Sequence, residues 1–405
     1  MTPRAGADAM QPSVDIVWPA DPTRSVATTS SQPVRPLART LLEDNPMRLS
    51  LVCSLVGSLI VVCLVTACTA ESGRRTPSRA SGSGSGSGSG DEACAKLDKD
   101  VVIRAPADMA SLPASGCYDI YGKLTVQGTG ITSLAGLNGI NSVDELDLDH
   151  TGVTTIDTKR PLGIYGRLTV TGNARLTGLR QLSFETASSG ILIDGNPALA
   201  SLDPLALDDP KLVQVDGDVS ITGNPALTGA PLGQLTKITG ALTITGNLAL
   251  ATIDLGQLVS AGPVELADNP KLTSLAAFTT AAAQRPQING DLVIRNHAAL
   301  TTLGSMGALN RVTGDVTIDS NPALANLAAF TPTLRAIDGK LAVNNNAALL
   351  DLGALKQLDS VGAIEITNNR SLVSCRALEI HACVLHTTTS IIGNNKDSSC
   401  SPLCD

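Results

Sequence analysis

The residues able to do chemistry are few and stand in two places. In the first half of the chain Asp147 and Asp149 lie two apart, and Asp194 follows in an equivalent segment. Period-two spacing puts Asp147 and Asp149 on one face of a strand, where clustered carboxylates could cleave an acidic polysaccharide by acid–base catalysis. No Arg or His completes that cluster. The chain has four His (His150, His297, His381 and His386), which leaves little room for general acid–base work. The second place is the C-terminal end, where Cys375, His381, Cys383, His386, Cys400 and Cys404 make a ligand-rich stretch. It lacks the Cys-x2-Cys knuckle of a structural zinc site, and an oxidising compartment disfavours free thiolates. The sequence therefore points to a non-enzyme, with no catalytic residue, metal or cofactor expected.

Composition agrees. Charged residues make up 16% of the chain, against about 25% in ordinary globular proteins. Aromatics are 2%, so the 43% apolar content is almost all Ala, Val, Leu and Ile. Any large core must be built from small aliphatic side chains. A net charge of −8, with 29 Lys+Arg against 37 Asp+Glu, argues against a nucleic-acid partner. Such binding also needs aromatics on which bases can stack.

The elements that must position these residues begin after a long leader. Residues 1–46 are polar and Pro-rich without apolar period and read as disordered. Met47-Arg48 precedes an uncharged apolar run from Leu49 to Cys68, the pattern of a secretory signal. Its rival reading is a plain transmembrane helix, weakened by Ser50, Ser54, Gly57, Ser58 and Thr66. Val65-Thr66-Ala67-Cys68 resembles a bacterial lipobox, which implies a signal peptide over 47–68, an acylated Cys68 and translation from Met47. By analogy with Gram-negative lipoproteins, Thr69 implies export to the outer membrane. Residues 69–93 contain an alternating Ser-Gly run and read as a flexible tether.

Six cysteines remain beyond the leader, an even number that suggests disulfides outside the cytoplasm. Cys94 pairs with Cys117 in this reading. The last four allow three pairings, of which Cys375–Cys400 with Cys383–Cys404 is the one expected.

The dominant signal is self-similarity. GDVSITGNPALTGA at Gly217, GALTITGNLALATI at Gly240 and GDVTIDSNPALANL at Gly314 repeat one pattern. An Asn column runs through Asn173, Asn196, Asn224, Asn247, Asn269, then His297, Asn321, Asn346, Asn369 and Asn394, in steps of 22 to 28 residues. Thr129 and Thr151 take the same position in two earlier copies. Apolar residues at five and three before the Asn, such as Val219 and Ile221, predict one face of a short strand. Leu at three after it, such as Leu227, and an apolar-then-Gly turn, such as Ile238-Thr239-Gly240, predict a corner and a return path. A single coil cannot bury its apolar face, so coils must stack. The prediction is an all-β, right-handed parallel β-solenoid of about eleven coils over 123–374, with end-pieces at 94–122 and 375–405. Asn in the column is expected to hydrogen-bond buried corner backbone, a structural role.

The strand and corner resemble leucine-rich repeats and, more closely, the receptor L domain. The matching residues are Cys117-Tyr-Asp-Ile-Tyr-Gly-Lys-Leu-Thr-Val126 and the later Gly-x-Leu-x-Ile-x-x-Asn coils. That resemblance covers residues 94 to 404 and implies a binding module, with related modules in fungal wall proteins and bacterial envelope lipoproteins. It does not carry over hormone binding, because eleven coils run together without a Cys-rich domain or a kinase.

Outward strand positions define the candidate binding face: Thr169, Thr171, Asp194, Thr222, Thr243, Thr245, Thr317 and Asp319. The face is polar, Thr-rich and mildly acidic, and Trp, Tyr and Arg anchors are nearly absent from it. The expected function is recognition or adhesion at a bacterial envelope, tethered to the membrane by lipid and directed to a surface glycan or an envelope protein. A polysaccharide-acting enzyme and a purely structural spacer are the alternatives.

Overall fold

A computed structural model of the chain describes residues 94–184, 188–202, 212–279, 285–304, 306–330, 333–373, 388–392 and 394. Almost all regular structure in them is short parallel β-strand, stacked into a solenoid of about eleven turns. The predicted fold class is therefore what the chain adopts. No helix among these residues is long and apolar enough to cross a membrane.

Three segments of one turn illustrate the construction. Gln214–Val215, Val219–Thr222 and Gly229–Pro231 are strands separated by corners. The next turn places Lys237–Ile238, Leu242–Thr245 and Thr252–Leu255 beside them, in parallel and residue for residue. The first two positions merge into a 21-stranded sheet among the described residues; the third forms a separate three-stranded sheet with Ser274–Ala277. Near both ends single long strands, Tyr118–Gln127, Ile140–Asp149, Ala336–Asn344 and Ser360–Thr367, run through both of the first two positions. Register shifts between Ile120 and Lys123, and between Ile337 and Lys340, bend them at the corner.

Alternation decides what is inside. In Val219–Thr222, Val219 and Ile221 are buried while Ser220 and Thr222 are half-exposed. The Leu column three after the Asn position (Leu227, Leu250, Leu272, Leu300, Leu324, Leu349, Leu372) is fully buried. The next apolar column, including Ile253, Leu303 and Leu352, is buried as well. These side chains form one continuous, mainly aliphatic core that also takes in Phe184, Phe278 and Phe330. Truncating one such Leu to Ala costs about 2–5 kcal/mol.

The N-terminal end-piece is stapled. Cys94 and Cys117 form a disulfide of 2.06 Å, which holds the edge strand Ala95–Leu97 against Tyr118–Ile120. A short 3-10 helix, Pro106–Ser111, follows and buries Met109. Asp108 caps its entry, accepting the backbone N–H groups of Arg104 (2.8 Å) and Ala105 (2.9 Å), and these bonds hold its carboxyl below the usual range. Cys375, Cys383, Cys400 and Cys404 lie outside the described residues, as do Cys68, the signal segment, the tether, His381 and His386.

Candidate functional site

Ten successive coils among the described residues turn the corner after the second strand with a left-handed residue. His150, Gly172, Gly195, Gly223, Gly246, Asp268, Asn296, Ser320, Asn345 and Asn368 hold φ between 47° and 68°. Gly adopts that conformation freely, and Asn and Asp tolerate it better than most residues. The corner aims the next residue, the repeated Asn, into the core.

The Asn side chains then make a ladder. Asn196 Oδ1 accepts the backbone N–H of Asn173 at 2.9 Å, and its Nδ2 donates to the carbonyls of Val170 (2.9 Å) and Asp194 (3.1 Å). Asn224 does the same for Asn196 and Ile193, and Asn247 for Asn224 and Ile221. Asn269, Asn321, Asn346, Asn369 and Asn394 continue it, donating to Ile244, Ile294, Ile318, Val343 and Ile366 respectively. From Asn173 to Asn369 each is fully buried. Each Asn thus satisfies a donor and an acceptor in the coil before its own, groups that would otherwise be buried unpaired. Thr151 joins the top of the column, its N–H and Oγ1 both donating to Asn173 Oδ1. Thr129, expected in the same column, is exposed instead. Its corner uses Gly128 at φ 111°, outside the range of the other corners, so the following side chain is not turned inward.

His297 takes an Asn place by imitating its two ends. Its Nδ1 lies 3.3 Å from Asn269 N and its Nε2 3.1 Å from the Leu266 carbonyl, while its own N–H donates to Asn321 Oδ1. The same Nδ1 lies 3.2 Å from the Asn269 carbonyl, so both ring nitrogens meet backbone groups of preceding coils. Burial lowers its pKa below the ordinary histidine value. His297 thus holds the same corner position as the Asn residues of the column.

A second ladder lies in Asp100, which follows Lys99, and in three Gly-Asp pairs, Gly217-Asp218, Gly290-Asp291 and Gly314-Asp315, which look in the sequence like turn residues only. Asp100, Asp218, Asp291 and Asp315 each accept a backbone N–H of the following coil through Oδ1, from Lys123, Ala241, Asp315 and Lys340, at 2.7 to 2.8 Å. The backbones approach so closely there that a Cβ on Gly240 would sit 2.6 Å from the Gly217 carbonyl carbon. The repeated "apolar-x-Gly-Asp" was the available signal; its Asp is missing from several coils, which obscured the column.

The outward face stands where alternation puts it. Thr169, Thr171, Thr222, Thr243, Thr245, Thr317 and Asp319 are half-exposed and Asp194 is exposed, on strands in unbroken parallel register from Ile140–Asp149 to Ser360–Thr367. Neighbouring rungs bond to each other: Thr171 Oγ1 donates to Asp149 Oδ1 at 2.9 Å, Thr222 Oγ1 to Asp194 Oδ1, and Thr245 Oγ1 to the Ala267 carbonyl at 3.2 Å. The hydroxyls of Thr169, Thr243 and Thr317 have no protein partner among the described residues. Two expected outward positions, Ala267 and Ala342, are buried.

The suspected carboxylate cluster is tied up by its own neighbours. Asp147 pairs with Lys123 at 2.7 Å, and Asp149 with His150 at 2.6 Å. The hydrogen bond from His150, then that from Thr171, holds the Asp149 carboxyl low. Further down, Glu265 binds Arg295 at 2.8 Å and Glu365 binds Lys340 at 2.9 Å. Lys340 and then Asn344 keep the Glu365 carboxyl below its usual range. The hydroxyl-rich stretch around 167–245 therefore lies between paired stretches around 123–150 and 265–365. No group of three or more metal-ligating side chains occurs among the described residues.

No protein-family model, no curated protein and no solved structure matches the chain.

Proposed function

We propose that the chain is a non-catalytic recognition or adhesion module, akin to a receptor L domain, displayed from the bacterial envelope on a lipid anchor at Cys68. Its ligand lies along the polar sheet face, and a surface glycan fits that face better than a single protein anchor. The observation that carries this reading is the in-register row of outward hydroxyls, with Thr169, Thr243 and Thr317 unengaged by the protein. Successive strands repeat at about 4.8 Å, so the face offers donors and acceptors at regular intervals along an extended ligand. The neighbour-bonded carboxylates of Asp147 and Asp149 favour recognition over catalysis, because an acid–base pair needs a free proton acceptor at the substrate.

The decisive experiment measures attachment of the full chain to arrayed envelope glycans and to whole cells. A variant with Thr169, Thr171, Thr243 and Thr245 all replaced by Ala should keep the circular dichroism of the parent and lose attachment. Unchanged attachment removes the face from the reading. Release of sugar fragments from a polysaccharide, abolished by Asp147→Ala, would replace recognition with catalysis. The mass of the mature N-terminal peptide from native membranes tests the anchor: the expected peptide begins at an acylated Cys68.

A further inference from the structure

We propose that a groove lined by Arg285, Arg311 and Arg335, away from the Thr-rich face, is a second binding site, for a phosphate-type oxyanion. The groove has a volume of about 610 Å³ and is lined also by Asn310, Thr333 and Asp359. It runs along the first strand position of the coil, where Gln287–Ile288, Arg311–Val312 and Ala336–Ile337 pair in parallel. The three arginines come from three successive coils. Stacking of Asn310 on Pro286, and of Arg335 on Asn310, through backbone bonds of 2.7 and 2.9 Å fixes their relative heights. At about 4.8 Å per coil the outer two arginines start about 10 Å apart, a span that long side chains converging from either side, or a ligand of pyrophosphate length, can bridge.

The guanidinium groups hold most of their donors in reserve. A guanidinium carries five N–H bonds in a planar fork. Arg311 gives two of them to Asp338 Oδ2, at 3.2 and 2.6 Å, and Arg335 gives one to the Gln357 carbonyl at 3.2 Å. Arg285 has no hydrogen-bond or ion-pair partner among the described residues. Its φ of 45° is a left-handed conformation that Arg adopts at a cost.

The charge balance selects the ligand class. Asp338 and Asp359 offset two of the three positive charges, so a single carboxylate gains little. A doubly charged group with three or four oxygens outcompetes Asp338 for Arg311 and takes a fork from a neighbouring arginine as well. The lining offers no aromatic surface, so recognition rests on the oxyanion and not on a stacked base. The groove is an open trough, which suits a phosphate carried on a larger molecule, either a phosphorylated glycan or a lipid headgroup. A positive trough on a chain of net charge −8 also orients such a ligand before contact.

The test uses the full chain and titration calorimetry with inorganic pyrophosphate, beside vesicles of phosphatidic acid, a phosphomonoester, or phosphatidylcholine. Binding at a Kd of about 1 mM or tighter is expected. Arg285→Gln and Arg335→Gln should each weaken it by about tenfold, and Arg335→Lys by less, since charge stays and the fork is lost. Asp338→Asn should tighten binding by several-fold, because the internal competitor is gone. Asp268→Asn makes the same charge change beside Arg295 on the other face and should leave the affinity unaltered. Capture by phosphatidic acid vesicles only, with the same arginine dependence, assigns a headgroup; binding of pyrophosphate without vesicle capture assigns a soluble ester. Absence of both, indifference to the arginine variants, or equal tightening by Asp268→Asn and Asp338→Asn would overturn the site. The arginines are exposed and outside the core, so circular dichroism should match the parent in every variant.

Discussion

The solenoid carries two polar columns of opposite character, less than one strand apart in sequence. The Asn column faces the core and is chemically almost uniform. The outward column two residues before it varies from coil to coil: Asp149, Thr171, Asp194, Thr222, Thr245, Ala267, Arg295, Asp319, Asn344, Thr367. A buried polar group must meet one fixed geometry, so one residue type recurs. An outward group has only its neighbours and solvent to satisfy, so its identity is free to follow a ligand or nothing at all. Polarity alone does not mark a functional surface; position relative to the sheet decides which kind of polarity it is.

Four substitutions probe this contrast. Asn247→Ala strips the partner from Asn224 N–H and from the Ile221 carbonyl, both buried. At about 1–3 kcal/mol per stranded group, the expected loss is about 2–6 kcal/mol, measured by urea denaturation. A loss below about 1 kcal/mol would mean that water or backbone shifts replace the rung and that the two columns differ less than argued. Removing the staple with Cys117→Ser should cost about 3 kcal/mol from loop entropy, expressed as fraying of the first coil in hydrogen exchange and not as global melting.

The third sharpens the comparison at the rung that breaks uniformity. Burial lowers the pKa of His297 in the folded chain, whereas the unfolded chain binds a proton near the ordinary value of 6.5. Stability from the neutral ring is complete above about pH 6.5 and declines as pH falls below it, by at most about 1.4 kcal/mol per pH unit. The parent should therefore lose melting temperature between pH 7 and pH 5 faster than His297→Asn does. Parallel melting curves would show that the imidazole is accommodated as readily charged as neutral. The smallest effect belongs to Thr243→Ala on the outward face: within about 0.5 kcal/mol of the parent in stability. A larger loss would move Thr243 from the recognition surface to the framework.

Much of this was legible in the residues. Period-two pairs such as Val219 and Ile221, the Leu column, and the Asn spacing dictate the coil, because every coil meets the same packing problem. The role of His297 was legible for the same reason, from its place in the column. The Asp rungs escaped because Asp218 and Asp315 accept backbone N–H groups, whose donors have no sequence identity to read. The arginine groove escaped too, since Arg285, Arg311 and Arg335 occupy different repeat positions and share a groove only after stacking. Thr129 misled because a repeat pattern extends further in sequence than the corner geometry that gives it meaning.

The direction of the Asn ladder has a consequence for how the molecule is made. Each rung completes the coil that precedes it, so a coil leaving the ribosome is one hydrogen-bonding partner short until its successor emerges. N-terminal segments fold first during synthesis, at about 5–20 residues per second, so the next coil arrives within seconds. The growing chain then presents a single unfinished edge at any moment, however long the finished solenoid, and the stapled first coil supplies the fixed end from which assembly proceeds.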